Sequence, residues 1–250
     1  MTHLVFLDFD GVICDSAPEC FASSWEAYFG RSHLELAAPT FAELTAGFLG
    51  LRPYVRSGED FMICQEILHR GLAVGSQADF DALAAGKGSA ELARLRERFY
   101  EARTALLERD RSYWIGLNSL YPEVEAHLPR WASSPLFHIL STKRSEFIAE
   151  ILSAAGISFP SDRILYATKT DKGPRIDEIL ERRDSFAALL VDDQIEHLVA
   201  IRAGSSRVAV YLAAWGYVRP EWLADSPVPV LSLGELRTLV DDALVDDPVG

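Results

Sequence analysis

The chain is poor in cysteine and has no long apolar run, and each shortage excludes a class of protein. None of its 250 residues lies in a run that approaches the roughly 18 apolar residues of a membrane span. No basic stretch precedes the apolar run near the N-terminus, so we expect no signal peptide. Cys14, Cys20 and Cys64 fit neither a metal-ligand spacing nor a disulfide framework, and a reducing cytoplasm is the simplest expectation.

Positive charge is also scarce. The net charge is −13, from 24 basic and 37 acidic residues, which argues against a general nucleic-acid binder because such a protein needs a basic face. A small anionic substrate is not excluded, because its binding depends on the local charge around its binding site and not on the net charge of the chain. Only four lysines occur in the chain, and Lys143, Lys169 and Lys172 fall within a short window.

Apolar strand patterns alternate with helical patterns through most of the chain. With 49% hydrophobic residues, the sequence has ample material for a buried core. The predicted strands are residues 3–8, 136–140, 163–166, 186–191, 207–212 and 228–231. Predicted helices separate them, at 145–155, 174–183, from 194 to about 202, and at 233–244. This alternation predicts an α/β fold with a doubly wound parallel sheet.

A block of about 100 residues interrupts the alternation after the first strand. It contains apolar residues at helical spacing, most clearly Leu92, Leu95, Phe99 and Leu106, and no convincing strand. We therefore predict an inserted all-helical domain at 16–116, and a catalytic core made of 1–15 and 117–250.

Polar residues stand where the predicted strands end. In an open parallel sheet the ligand site lies beyond these carboxyl ends. Asp8 ends the first strand, Ser141 follows the second, and Asp192 and Asp193 follow the fourth, while Lys172 opens a helix. Carboxylates that converge repel one another unless a cation joins them, and hard oxygen ligands suit Mg²⁺ with a phosphorylated substrate.

Four segments resemble the motifs of the haloacid dehalogenase superfamily, whose members are mostly phosphate-ester hydrolases. In chain order they are "LVFLDFDGV", "FHILSTK", "DKGPRIDEIL" and "ALLVDDQIEHLVAIRAG". One such motif alone is weak, whereas four in order are specific. The helical insert occupies the position of the C1-type cap, so the resemblance implies a Rossmann-like core with a helical cap.

The resemblance implies roles for individual residues. Asp8 would attack phosphorus to give an aspartyl-phosphate. Asp10 would protonate the leaving oxygen and later deprotonate water, and Gly11 would let the backbone turn beneath the phosphate. Ser141 and Lys172 would bind the phosphate. The expected ligands of Mg²⁺ are Asp8, Asp10, Asp193 and Asp192.

Two assignments stay open at this point. Either Asp193 or Asp192 can be matched to the metal carboxylate of the fourth motif, with a slight preference for Asp193. Lys172 competes with Lys169 and Lys143 for the phosphate, and the Gly-Pro sequence after Lys172 favours it because proline suits a first helical turn.

Arg52 and Arg56 stand in the polar stretch "GLRPYVRSGEDF" of the helical insert. One interpretation is a substrate-recognition loop in which these arginines contact the leaving group. The other is a solvated connection between two helices, and the two are equally favoured.

The sequence as a whole predicts a cytoplasmic, Mg²⁺-dependent phosphatase that acts on a small phosphorylated metabolite, with no nucleic-acid or membrane partner. One alternative is a sugar-phosphate mutase of the same superfamily, although Cys20 stands where such relatives usually carry histidine. Another is a catalytically silent binding or regulatory protein, which the intact carboxylate set disfavours. A phosphonate hydrolase would need an early lysine in the insert, and no lysine precedes Lys87; a dehalogenase would lack Asp10.

Overall fold

A computed structural model describes residues 2–168, 171–182 and 186–245 of the chain. It divides into two compact units, one formed by Met1–Asp15 with Ser119–Gly250 and the other by Ser16–Asn118. We call the first the sheet unit and the second the helical unit. The sequence analysis predicted that the helical insert ends at residue 116, which is two residues before the helical unit ends at Asn118.

Six parallel strands form the main sheet of the part of the chain that is described, in the order β5-β4-β1-β6-β7-β8. The order places β1 between β4 and β6, so the first strand is central. Two further strands, β2 and β3, pair antiparallel where the chain leaves and re-enters the sheet unit. The strands are β1 Thr2–Leu7, β2 Cys14–Asp15, β3 Ser119–Leu120, β4 Phe137–Ser141, β5 Ile164–Tyr166, β6 Phe186–Asp192, β7 Val208–Ala213 and β8 Val230–Leu231.

Helices alone, with two short 3₁₀ turns at His33–Glu35 and Arg52–Tyr54, build the helical unit, all of whose residues are described. They are α1 Ala17–Phe29, α2 Ala38–Leu51, α3 Gly58–Arg70, α4 Gln77–Ala85, α5 Ser89–Arg109 and α6 Arg111–Gly116. The segment whose apolar residues, from Leu92 to Leu106, stand at helical spacing continues in a helical pattern to Trp114, but it forms two helices, α5 and α6. It breaks at Asp110, whose carboxylate accepts a hydrogen bond of 2.9 Å from the Tyr113 N–H and so caps α6.

The core of the helical unit contains a buried ion pair. Glu19 of α1 and Arg103 of α5 are 0% and 3% exposed, and the guanidinium donates to both carboxylate oxygens at 2.9 and 2.8 Å. The Ser23 hydroxyl and the Trp114 indole N–H donate to the same carboxylate. Because a charge is costly to bury alone, these contacts hold α1, α5 and α6 in one arrangement.

The helices of the sheet unit lie between its strands in the chain, as a doubly wound sheet requires. They are α7 Pro122–Glu125, α8 Leu128–Ser133, α9 Ser145–Ala154, α10 Lys172–Glu181, α11 Ile195–Gly204, α12 Pro220–Ala224 and α13 Leu233–Val245, with a 3₁₀ turn at Ser161–Arg163. Leu4 and Phe6 of β1 pack in one buried cluster with Leu140, Ile176 and Leu190. Among the described helices, none is both long enough and apolar enough to cross a membrane.

Candidate active site

The register of the sheet brings the predicted site residues to one edge. Leu7, the last residue of β1, pairs with Val191 of β6 and with Ile139 of β4. Asp8, the residue after Leu7, and Asp192, which ends β6, therefore stand at the same level of the sheet. Ser141 ends β4 on the other side of β1. Sequence alone placed these side chains at strand ends, and the strand order makes them neighbours.

Three carboxylates meet at this edge. Asp8, Asp192 and Asp193 each offer one oxygen, and these oxygens lie within 4.8 Å of one another. All three residues are buried, at 7%, 0% and 6% exposure. Such a group of negative charges is stable only with positive charge among it.

Lys172, at the start of α10, supplies part of that charge. Its Nζ lies 2.7 Å from Asp192 Oδ2 and 3.1 Å from Asp8 Oδ1, and the residue is 2% exposed. Burial alone would lower the pKa of this ammonium, but the two carboxylates outweigh burial and the pKa is raised. Lys172 is therefore fully charged at neutral pH.

The two carboxylates that flank Lys172 differ in their acidity. For Asp192, burial acts to raise the pKa, but Lys172 and His197 outweigh it and the pKa lies well below the ordinary value. For Asp8, burial raises the pKa and the charges of Asp192 and Asp10 add to the rise, against Lys172 and a hydrogen bond with Ser141. Asp8 is thus the carboxylate that a further cation would help most to keep ionised.

Asp192 is held from several sides. Its Oδ1 accepts a hydrogen bond of 2.8 Å from the Gln194 N–H, and its Oδ2 contacts Lys172 and lies 3.3 Å from His197 Nδ1. Lys172 therefore already neutralises the Asp192 charge.

Asp193 sits in a space made by two glycines. A Cβ atom on Gly11 would lie 2.0 Å from Asp193 Oδ2, and one on Gly216 would lie 2.4 Å from Asp193 Cβ. Gly11 also has a φ of +84°, which favours glycine. The Tyr217 N–H donates to Asp193 Oδ2 at 2.9 Å, and the Tyr217 hydroxyl donates to Asp15 at 2.7 Å.

Asp10 lies in the tight turn that follows β1. The N–H groups of Ile13 and Cys14 donate to the Phe9 carbonyl at 2.9 and 2.8 Å, and the Gly11 N–H donates to the Cys14 carbonyl at 2.8 Å. The Asp10 carboxylate accepts a hydrogen bond of 3.1 Å from Lys143 Nζ.

The helical unit holds the two arginines predicted to contact substrate. Arg52 is 7% exposed, and its guanidinium carbon lies 5.3 Å from the centre of the Phe61 ring. Arg56 donates to both carboxylate oxygens of Asp81, at 2.6 and 3.2 Å. Both side chains thus have partners inside the helical unit, and their contact with a substrate stays a prediction. Lys169, the competitor of Lys172, lies outside the described residues.

Sequence reasoning did not foresee what three residues contribute to this edge. It treated Lys143 only as a competitor for the phosphate and did not foresee its pairing with Asp10. It also missed Gly216 and Tyr217, which follow β7 and therefore reach the same edge as the other strand ends. Their signal was a glycine next to an aromatic residue directly after an apolar strand.

The residues present fit a hard divalent cation. The cluster offers oxygen donors from three buried carboxylates, which carry more negative charge than Lys172 neutralises. Carboxylate oxygens are the protein ligands that Mg²⁺ prefers. Asp8, Asp193 and Asp10 are the residues that would bind the cation. Asp192 would not bind it directly but would hold Lys172 in its position next to Asp8.

Comparison with known proteins identifies the fold. No family model matches the sequence, and no curated protein matches it. Solved structures do match: a haloacid dehalogenase-like hydrolase from Streptococcus pneumoniae has a TM-score of 0.57 at 14% identity, with 97% of this chain and 98% of that chain covered.

Two further structures match over similar lengths. A predicted phosphoglycolate phosphatase from Haemophilus somnus has a TM-score of 0.58 at 14% identity, covering 95% of this chain and 97% of that chain. A haloacid dehalogenase family hydrolase from Deinococcus radiodurans, solved with bound phosphate and sodium, has a TM-score of 0.52 at 16% identity, covering 97% and 96%. At such identities the likeness shows the fold.

The chain therefore has a doubly wound α/β fold with a helical insertion, of the kind found in haloacid dehalogenase-like hydrolases. The fold predicted from the four motifs is confirmed.

Proposed function

We propose that this chain is a Mg²⁺-dependent phosphatase that hydrolyses the phosphate monoester of a small metabolite through an aspartyl-phosphate on Asp8. The observation that carries the proposal is the convergence of Asp8, Asp192 and Asp193 within 4.8 Å, with Lys172 in contact with two of them. Three buried carboxylates this close together, beside a buried lysine and at the carboxyl edge of a parallel sheet, are typical of a metal and phosphate site.

Two of the matching structures support a phosphate ester as substrate. One match is called a predicted phosphoglycolate phosphatase, and another contains bound phosphate and sodium. An anion and a cation thus occur together in a protein of the same fold. We infer a phosphorylated substrate for this chain as well.

Asp8 is the proposed nucleophile. Its carboxylate oxygen forms a bond to phosphorus while the bond from phosphorus to the ester oxygen breaks. The electron pair of that bond stays on the leaving oxygen, which takes a proton from the Asp10 carboxyl group and departs as an alcohol. This step leaves an aspartyl-phosphate on residue 8 and a carboxylate on residue 10.

The second step returns the enzyme to its starting state. The Asp10 carboxylate takes a proton from a water molecule, whose oxygen attacks the phosphorus. The bond between phosphorus and Asp8 breaks, and its electron pair returns to the Asp8 carboxylate. The products are inorganic phosphate and a protonated Asp10 that is ready for the next ester.

Ser141 and Lys172 are the proposed phosphate ligands. Both are buried, at 1% and 2% exposure, and both stand at the edge that Asp8 occupies. The hydroxyl donates a hydrogen bond, and the ammonium supplies a compact positive charge. Bound Mg²⁺ would supply the remaining charge that an anionic nucleophile and an anionic phosphate need to approach each other.

We assign the metal carboxylate of the fourth motif to Asp193. Asp192 is engaged by Lys172 on one oxygen and by the Gln194 N–H on the other. Asp193 is fixed at one oxygen by the Tyr217 N–H, and it belongs to the group of three carboxylates whose oxygens lie within 4.8 Å of one another. The arrangement supports Asp192 as the residue that positions Lys172.

A panel of phosphate esters with and without Mg²⁺ tests the proposal. The panel contains 2-phosphoglycolate, glycerol 3-phosphate, glucose 6-phosphate and 2,4-dinitrophenyl phosphate. We expect Mg²⁺-dependent release of phosphate from at least one of them. Asp8→Asn keeps the shape but removes the nucleophile, so it should lower kcat by several orders of magnitude, with the melting temperature as the control for folding. A folded Asp8→Asn variant with near-normal turnover would overturn the mechanism.

A further inference from the structure

Lys143 is a buried cation that the mechanism above does not use. It lies two residues beyond the end of β4, and its side chain is 0% exposed. Its Nζ donates to Asp10 Oδ1 at 3.1 Å, and its ammonium lies 5.8 Å from the centre of the Phe9 ring. Its backbone N–H donates to the Ser141 hydroxyl oxygen at 3.3 Å.

Two lysines contact carboxylates of this edge. Lys172 contacts Asp8 and Asp192, and Lys143 contacts Asp10. Lysine has a flexible four-carbon stem, and its ammonium is strongly hydrated in water. Its complete burial with the ammonium against Asp10 therefore indicates a fixed position, because a buried ammonium is costly unless it stays hydrogen-bonded.

Both ends of the Lys143–Asp10 pair are anchored in the fold. Asp10 belongs to the turn after β1, which is held by backbone hydrogen bonds to the Phe9 carbonyl. Lys143 follows β4, which pairs with β1. The pair therefore ties the turn of one strand to the loop of its neighbour and fixes the direction of the Asp10 carboxyl group.

We propose that Lys143 is a positioning residue for Asp10, and that it thereby makes the site selective for phosphate esters of alkyl alcohols. The inference rests on the proposed function. Proton transfer needs the donor within hydrogen-bond reach of the leaving oxygen, and a displacement of about 1 Å costs about a hundredfold in rate. An alkoxide leaves only when it is protonated, whereas 2,4-dinitrophenolate leaves as an anion. Loss of Lys143 should therefore harm alkyl esters selectively.

The test compares Lys143→Met with wild type on two esters by kcat/KM. One ester is the alkyl phosphate of the panel that wild type hydrolyses fastest, and the other is 2,4-dinitrophenyl phosphate. The value of kcat/KM depends only on the steps up to departure of the alcohol, so it does not include hydrolysis of the aspartyl-phosphate. We expect the alkyl value to fall at least about tenfold more than the aryl value. Lys143→Arg keeps the charge and should recover part of the loss.

A double-mutant cycle with Asp10→Asn shows whether Lys143 acts through Asp10. Adding Lys143→Met to Asp10→Asn should cause little further loss on the alkyl ester, because the group that it positions is already gone. Lys87→Met, a substitution of the same kind in the helical unit, is the matched control and should change neither value by more than about twofold.

The possible outcomes distinguish a failure of the positioning role of Lys143 from a failure of the proposed phosphatase function. Equal losses on both esters, no loss on either, or additive losses in the cycle would overturn the positioning role while the phosphatase stands. A folded wild type that hydrolyses no ester of the panel with Mg²⁺ would overturn both. If Lys143→Met does not fold, as judged by its melting curve, Lys143→Gln takes its place, since it removes the charge and keeps a hydrogen-bond donor.

Discussion

Replacement of Lys172 by methionine tests the electrostatic basis of the site. Methionine keeps most of the length of the side chain and removes its charge. The Lys172 ammonium lies 2.7 Å from Asp192 and 3.1 Å from Asp8. In the variant these two carboxylates would stay buried without that positive charge. Removal of one partner from a buried ion pair costs about 3–5 kcal/mol, and we expect the lower end because Asp8 can take up a proton.

The expected loss corresponds to a lower melting temperature. For a domain of this size, 1 kcal/mol shifts the melting temperature by about 2–4 °C, so about 3 kcal/mol gives a decrease of about 6–12 °C. Because the pKa of Lys172 is raised, its contribution is present at neutral pH and is lost only as the pH rises through the folded-state pKa. Because the pKa of Asp192 is lowered, its contribution is lost only as the pH falls through the folded-state pKa. In wild type both contributions should therefore be nearly constant around pH 7.

Thermal melting with and without Mg²⁺ is the assay. Removal of the ammonium leaves more negative charge for the metal, so Mg²⁺ should raise the melting temperature of Lys172→Met by more than it raises that of wild type. Lys87→Met, at a pair whose lysine side chain is 15% exposed, should cost less than about 1 kcal/mol. The reasoning fails if Lys172→Met is no less stable than this control, or if Mg²⁺ stabilises it less than wild type.

Two further predictions concern single carboxylates. Asp193→Asn should lower Mg²⁺ affinity by a larger factor than Asp192→Asn, measured as the Mg²⁺-dependent rise in melting temperature, and equal trivial losses would count against the metal site. Glu19→Gln should destabilise the helical unit by about 3 kcal/mol in urea unfolding, because it leaves the buried Arg103 guanidinium without its counter-charge. The control Glu66→Gln, at a side chain that is 19% exposed, should cost less than about 1 kcal/mol, and similar losses in the two variants would show that burial of the Glu19 pair contributes little.

The sheet was predictable because its strands are short apolar runs that end in polar residues. Leu4 to Leu7 before Asp8, and Leu189 to Val191 before Asp192, are buried on both faces of the sheet, so their sequences are continuously apolar. The same feature located the candidate site, since a strand of this kind ends where its first charged residue stands.

Features that depend on contacts distant in sequence were not predictable. The break at Asp110 lies inside a continuous helical pattern, and it is set by a capping hydrogen bond. The strands β2 and β3 have two residues each, too few to show any periodicity. The Tyr217 contact with Asp193 and the Lys143 contact with Asp10 join segments more than 20 and more than 130 residues apart, and they exist only because the strand order brings those loops together.

The most direct test of the central claim is to trap the phosphoryl group on Asp8. Asp10→Asn retains the nucleophile but lacks the base that activates water, so a phosphorylated enzyme should accumulate. The variant is mixed with Mg²⁺ and 2,4-dinitrophenyl phosphate, whose leaving group needs no proton, then quenched in acid, digested and analysed by mass spectrometry. The account predicts one added phosphoryl group on the peptide that contains Asp8, and none when Asp8→Asn is added. A phosphoryl group on another residue, or on none while wild type hydrolyses the ester, would contradict it.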